Sequence, residues 1–337
     1  MKTTHILLTA VISTLILTGC GTKRQYFQPE ELSSKINYDG TLPATLLQTN
    51  REGGVLDNGQ IVTKSQGLIG VTLPKDMMFL NENQGRYIGA EASGNLVIID
   101  ETQKTLFQEK FSSVVASATL KNNLLALVLG TNELVVVNIE SGKHLVSIKQ
   151  DNVAILDSRM ASPFFLGDLI VFPTLDGKLV IVDSKSGSIM REIVVSNDKF
   201  FGNIIYLQVL GDRLVAATKS KVVSITPSSM VFYDDNIKDV IALENRIFIF
   251  TKDGRIVLSD ADLKVIKEKK FPFATFVGVM NENSVYAAEK TGYMIVTDLE
   301  LLSNKIYKLP DEIEDHMFIA KDKLFYKNKF LKLNPKQ

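Results

Sequence analysis

Tryptophan is absent from this 337-residue chain, and cysteine occurs once. A single thiol cannot close an intrachain disulfide and cannot build a cysteine-based metal site. Histidine is almost as scarce. Of three residues one is His5, which leaves His144 and His316 for the body of the chain. Neither is accompanied by a nucleophile motif. Gly-x-Ser-x-Gly is missing, and Ser196-Asn197-Asp198-Lys199 matches Ser-x-x-Lys only trivially. No glycine-rich phosphate loop is present. Charge of one sign is also lacking, since 38 Lys+Arg balance 38 Asp+Glu. Phosphate backbones call for a basic excess, so a nucleic-acid partner is not expected. What the chain has is 45% hydrophobic residues against 23% charged ones, enough for a large core and too apolar for wholesale disorder.

The start of the chain speaks for export. Lys2 precedes Ile6 to Leu17, an unbroken run without charge that is twelve residues long. That is too short for a resident transmembrane helix and fits the core of a signal peptide. It ends in Leu17-Thr18-Gly19-Cys20, which resembles the bacterial lipobox. The resemblance implies a signal peptide over 1–19, diacylglyceryl attachment to the Cys20 sulfur, and an N-linked acyl chain such as palmitate. The alternative is an unlipidated signal with a chance Cys. Gly21 and Thr22 follow where an Asp would signal inner-membrane retention, which favours the periplasmic face of the outer membrane. Residues 20–40, polar and containing Pro29, read as the lipidated Cys and a flexible tether.

From residue 41 to 337 helical periodicity is hard to find, and short apolar runs recur in a register. Gly94-Asn95 precedes Leu96–Asp100, Gly177-Lys178 precedes Leu179–Asp183, Gly254-Arg255 precedes Ile256–Asp260 and Gly292-Tyr293 precedes Met294–Asp298. Asn132-Glu133 and Ser220-Lys221 open two further copies. From 94 through 132, 177, 220, 254 and 292 the steps are 38, 45, 43, 34 and 38 residues. Weaker copies are placed at Gln66–Val71 and Asn328–Leu333, which makes eight. An upstream partner such as Asp168–Phe172 or Arg246–Phe250 joins each copy through a short turn, giving hairpins. In the clearest units another run follows, as Ser188–Ile193 and Lys143–Ile148. Four short strands in a unit of this size predict an all-β chain folded as one β-propeller of eight blades, each of four antiparallel strands. Middle strands lie between two neighbouring blades, so both faces are dry and the runs are continuous instead of alternating.

The segment Asp176–Ser188 resembles the repeat of the PQQ-type propellers: a small-residue turn, an apolar strand ending in Asp, and a Gly four residues later. Lipobox, short tether and a single propeller together resemble the outer-membrane β-barrel assembly lipoproteins of the BamB type. That resemblance implies a scaffold whose loops on one propeller face bind the barrel-forming insertase. The family's contact region has a Leu-Arg pair shortly before a Ser/Ala-Pro segment and an Asp-x-Asp pair at the next blade. Here Leu156-Asp157-Ser158-Arg159 precedes Ala161-Ser162-Pro163, so Arg159 is a shifted match; the later stretch is Gly202–Tyr206, without the acidic pair.

The resulting expectation is a non-enzymatic, periplasm-facing lipoprotein at the outer membrane, anchored through Cys20. Arg159, Met160, Phe164 and Phe165 are the candidate partner contacts. No cofactor is expected. A quinoprotein would need stacking Trp residues, a calcium site and a longer chain, so PQQ is not expected either. No metal site is expected, because the column Asp100, Asn138, Asp183, Asp260 and Asp298 reads as turn-capping side chains. His144 reads as a surface or rim residue. Phe271–Phe276 reads as packing between blades, with an exposed aromatic patch as the alternative. Two other functions stay open: a ligand-binding or enzymatic propeller using the central channel, and a surface adhesin.

Overall fold

A computed structural model describes residues 25–153 and 157–333. Strands make eight four-stranded units in chain order, and no α-helix occurs among the described residues. Blade 1 is Leu46–Thr49, Gly53–Leu56, Gln60–Thr63 and Gly67–Thr72. Blade 4 is Phe164–Leu166, Leu169–Pro173, Lys178–Asp183 and Ile189–Val194; blade 5 is Tyr206–Leu210, Arg213–Ala217, Lys221–Ile225 and Met230–Asp234. Blade 6 is Ile237–Leu243, Arg246–Thr251, Arg255–Asp260 and Val265–Lys270. Blades 2, 3 and 7 follow the same plan from Met78, Val115 and Phe276. First strands touch between blades 1 and 2, 2 and 3, 5 and 6, 6 and 7, 7 and 8, and 8 and 1, so they lie on the inner side and the ring closes on itself. The expected eight-bladed propeller is the fold.

The core is divided among the seams between blades. Eight clusters of buried side chains fill them, one to a seam. Strand Lys178–Asp183 shows why its run is continuously apolar. Val180 and Val182 enter the seam with blade 3, whereas Leu179 enters the seam with blade 5. Successive side chains of a strand point to opposite faces, and here both faces are dry. Each fully buried Val, Leu or Ile contributes about 1.5–3 kcal/mol, so one polar substitution in such a run costs more than a loop change.

Ring closure pairs a strand that precedes blade 1 with the strands that follow blade 7. Blade 8 has three strands of its own, Met317–Ala320, Lys323–Tyr326 and Lys329–Lys332. Its outer strand is Gly40–Thr41, antiparallel to Lys329–Lys332. The backbone amide of Asp39 donates to the Phe330 carbonyl at 2.9 Å, and that of Lys332 donates to Asp39 Oδ2 at 2.6 Å. Just upstream, Ser34–Lys35 adds a short parallel strand to the outer edge of blade 7. Further upstream Phe27 is only 3% exposed and joins the seam of blades 6 and 7, with edge-on contacts to Phe271 and Tyr293 at 6.3 and 5.4 Å.

Two sequence expectations are corrected here. The flexible tether does not extend to residue 40. From Phe27 onward the segment is strapped across blades 7 and 8, because Phe27, Ile36 and Tyr38 are apolar anchors spaced through otherwise polar sequence. Residues Gln66–Val71 are not a copy of the third strand. All but Gln66, a turn residue, belong to the outer strand of blade 1, and the third strand is Gln60–Thr63 behind the turn Asp57-Asn58-Gly59. Gly67 mimicked the repeat glycine because it too adopts a positive φ, 76°. The signal-peptide stretch 1–19 and Cys20 lie outside the described residues.

The column of turn residues is as expected. Asp183 Oδ1 accepts the amides of Lys185 and Ser186 at 3.1 and 2.7 Å, and Asp260 Oδ1 those of Asp262 and Lys264 at 3.0 and 2.9 Å. Asp100, Asn138 and Asp298 accept amides in the same way. Burial alone would raise Asp298, but hydrogen bonds from Ser303, Leu302 and Glu300 hold its carboxyl well below the usual range. Among the described residues no group of three or more His, Cys, Asp or Glu converges to hold a metal ion.

Candidate functional site

Two inter-blade loops meet beside the central channel. The first, ending at Pro163, joins blade 3 to blade 4; the second, 195–205, joins blade 4 to blade 5. Their junction is Asn203, which is fully buried. Its Oδ1 accepts the Asp157 amide at 2.8 Å, and its Nδ2 donates to the carbonyls of Asp157 and Arg159 at 3.2 and 3.0 Å. The Ala161 amide donates to the Ile204 carbonyl at 3.1 Å. The two stretches matched in the sequence to the family's contact region are therefore one structural unit.

A tight turn supports that unit from below. Gly177 has a φ of 87°, and a Cβ there would stand 2.7 Å from the carbonyl oxygens of both Ser196 and Gly202. Only glycine satisfies both demands. The Gly177 carbonyl in turn accepts the amides of Val195 and Ser196 at 2.9 and 3.1 Å.

Within the first loop, Arg159 clasps Asp157 through Nε to Oδ1 at 2.8 Å and Nη2 to Oδ2 at 2.5 Å. This is a two-point guanidinium–carboxylate pair. Burial pushes the Asp157 carboxyl up, and the Arg159 hydrogen bonds and charge outweigh it, so the group is held below the ordinary value. Arg159 Nη1 is buried with no hydrogen-bond partner. Nearby, burial and the Arg159 charge together hold the Lys238 ammonium below its ordinary value.

The four candidate contacts fall in different environments. Met160 and Phe165 pack, partly buried, against the seam of blades 3 and 4, and Lys121 Nζ lies 5.9 Å from the Phe165 ring centre. Arg159 is committed to Asp157, whereas Phe164 is exposed. The second loop adds two residues that the sequence reading passed over. Phe200 is 53% exposed, and Phe201 is exposed with a φ of 55°, Lys219 Nζ lying 4.8 Å above its ring. The Phe-Phe pair in a polar loop was the available signal. Exposed Ile189, Met190 and Val194 on the outer strand of blade 4, with Met230 and Phe232 on that of blade 5, extend the apolar surface of these two blades.

The channel itself holds a cavity of about 960 Å³. Arg51, in the turn after the first strand of blade 1, reaches across the axis. It ion-pairs with Asp239 of blade 6, donates to the Ile205 carbonyl and lies 5.0 Å above the Tyr206 ring. Burial pushes the Tyr206 hydroxyl up to about 12. That hydroxyl accepts the Ala242 amide at 2.9 Å and donates to Gln208. Sequence reading had no handle on Arg51, a lone basic residue in an ordinary turn. His316 lines the same cavity, exposed. His144 lies elsewhere, at 2.6 Å from Glu109 Oε1 and stacked on Phe111 at the outer strands of blades 2 and 3.

The family model described as outer membrane protein assembly factor BamB matches residues 80–262. Plasminogen-binding protein PgbB of Helicobacter pylori is similar in sequence. The protein of strain 26695 is 29% identical over 380 residues and that of strain J99 30% over 381; each match covers 96% of this chain and 70% of the relative. Among solved structures, BamB from Moraxella catarrhalis superposes with a TM-score of 0.66 at 12% identity, over 87% of this chain and 95% of that one. At that identity the likeness concerns the fold alone. The repeat signature, the eight closed blades and a family model spanning more than half of the sequence together place this chain in the family of the outer membrane protein assembly factor BamB.

Proposed function

We propose that this protein is a non-enzymatic scaffold, acylated at Cys20 and held at the periplasmic face of the outer membrane. The joined loops 157–163 and 195–205 dock a protein partner, the barrel-forming insertase. One observation carries the reading: Asn203 locks two inter-blade loops into a single rigid platform from which Phe164, Phe200 and Phe201 emerge. Exposed aromatics on a pre-ordered surface are what protein interfaces use as anchors, because little entropy is lost on binding. The family's name supports the choice of partner. Arg51 and Asp239, two of the charged residues that line the channel, satisfy each other, as a structural tie would.

Site-specific photocrosslinking from position 200 in intact cells tests this. Crosslinks to the barrel insertase are expected from position 200 and not from the exposed position 302 on blade 7. Their absence from a chain that is folded and exported overturns the assignment.

A second reading has its own support. The curated relatives are named for plasminogen binding, so a surface-displayed binder of host protein is the alternative. Protease shaving of intact cells separates the two. A scaffold on the periplasmic face survives, and a surface adhesin is cleaved.

A further inference from the structure

The strap that begins at Phe27 borders a second apolar feature, at blades 6 and 7 and separate from the loops of blades 4 and 5. A groove of about 780 Å³ runs between residues 25–33 and Lys270–Phe273, with Asn304 and Ile306 at its floor. Its banks carry Tyr26 at 57%, Leu32 at 47% and Phe273 at 54% exposure. Exposed Val265, Ile266 and Leu302 lie on the adjoining strands and turn of blades 6 and 7. Phe273 also adopts a φ of 64°, a conformation that bulky side chains rarely take. Its neighbours Phe271, Ala274 and Phe276 are buried and explain themselves by packing, whereas the strained, exposed ring does not. A strained residue that contributes nothing to the core calls for a functional reason.

Chain length identifies the occupant. Gln25 is five residue steps from Cys20, and an extended chain covers at most about 18 Å over that distance. Phe27 fixes the near end of this leash in the seam of blades 6 and 7. We propose that the groove between blades 6 and 7 is the surface with which the propeller rests on the phospholipid bilayer, Tyr26, Leu32 and Phe273 entering the headgroup region. The inference rests on acylation of Cys20 and adds an orientation to it. Aromatic rings favour the membrane–water interface, and a shallow apolar patch beside an acyl anchor supplies a second attachment that restrains rotation. The loops at blades 4 and 5 take no part in this contact and are left for a protein partner.

The test uses the full-length lipoprotein reconstituted in phospholipid vesicles that contain a lipid-borne quencher. Cys20 carries the acyl chains, so a single new thiol can be labelled with a fluorophore, at Leu302→Cys on blade 7 or Met190→Cys on blade 4. Quenching at 302 is expected to exceed that at 190 at least threefold. Adding Tyr26→Ser and Phe273→Ser, both exposed positions, is expected to reduce the difference to less than 1.5-fold with an unchanged thermal melt. Equal quenching at both positions on a chain whose acylation is verified by mass spectrometry overturns the proposal and leaves the anchor standing. An unmodified Cys20 removes the anchor, and the proposal falls with it.

Discussion

Asn203 shows how much one side chain can organise. Its amide satisfies three backbone groups on a neighbouring loop, and no shorter or apolar residue can. Asn203→Ala strands those groups in a buried place and is expected to cost about 2 kcal/mol in urea unfolding. It should also abolish the crosslink from position 200, and Asn203→Asp, which keeps the acceptor but turns a carboxylate oxygen toward two carbonyls, should not rescue it. Asp157 gives the same loop a pH dependence. Its carboxyl titrates below the ordinary aspartate value, so the stabilisation is complete above that value and is lost as pH falls through the lower, folded one. Urea midpoints measured from pH 6 down to pH 3 should therefore fall less for Asp157→Asn than for the wild type. None of this was legible in the sequence: Asn203 looks like any loop asparagine, and its partners lie 44–46 residues away.

At the scale of elements, the second and third strands of most blades were readable, blade 1 excepted, and the first were not. Runs such as Leu179–Val182 and Ile256–Leu258 are buried on both faces and stand out as unbroken apolar stretches. The inner strands line the channel, so polar residues interrupt them; Met78–Asn83 ends in Asn-Glu-Asn, and Ile237–Leu243 carries Lys238 and Asp239. That mixture has neither a period of two nor a dry run. The strap escaped for a related reason. Its strands are two residues long, and Phe27 alone supplies the packing in the seam of blades 6 and 7. Phe27→Ala is expected to cost roughly 3 kcal/mol, read as a lower thermal midpoint. It should also raise hydrogen exchange in the outer strand of blade 7, which Ser34–Lys35 covers.

For the whole molecule, the ring is tied across its own axis as well as around its rim. Arg51 of blade 1 holds blades 5 and 6 through the Ile205 carbonyl and Asp239. If this tie is structural, breaking it on one side is costly and replacing both sides is not. Arg51→Ala is expected to destabilise by roughly 3 kcal/mol, because Asp239 remains largely buried without its partner. The double substitution Arg51→Met with Asp239→Leu should restore most of that stability and leave the crosslink from position 200 intact. A double variant that folds normally but loses the partner would instead mark the channel as part of the binding surface. The overall architecture was legible from the repeat spacing, since eight copies of one unit have few ways to bury their faces. The tie across the axis had no local signal.

Gly40–Thr41 precedes the seven intervening blades, Lys329–Lys332 follows them, and the two complete the same blade. The closing strand is synthesised before those blades and must wait for a partner synthesised after them. Until then both strands present unpaired backbone, the condition that invites misassociation and proteolysis. A chain cut short before residue 329 can form most of its blades yet never lose its open edge. The seam thus acts as a completeness check, distinguishing finished molecules from fragments.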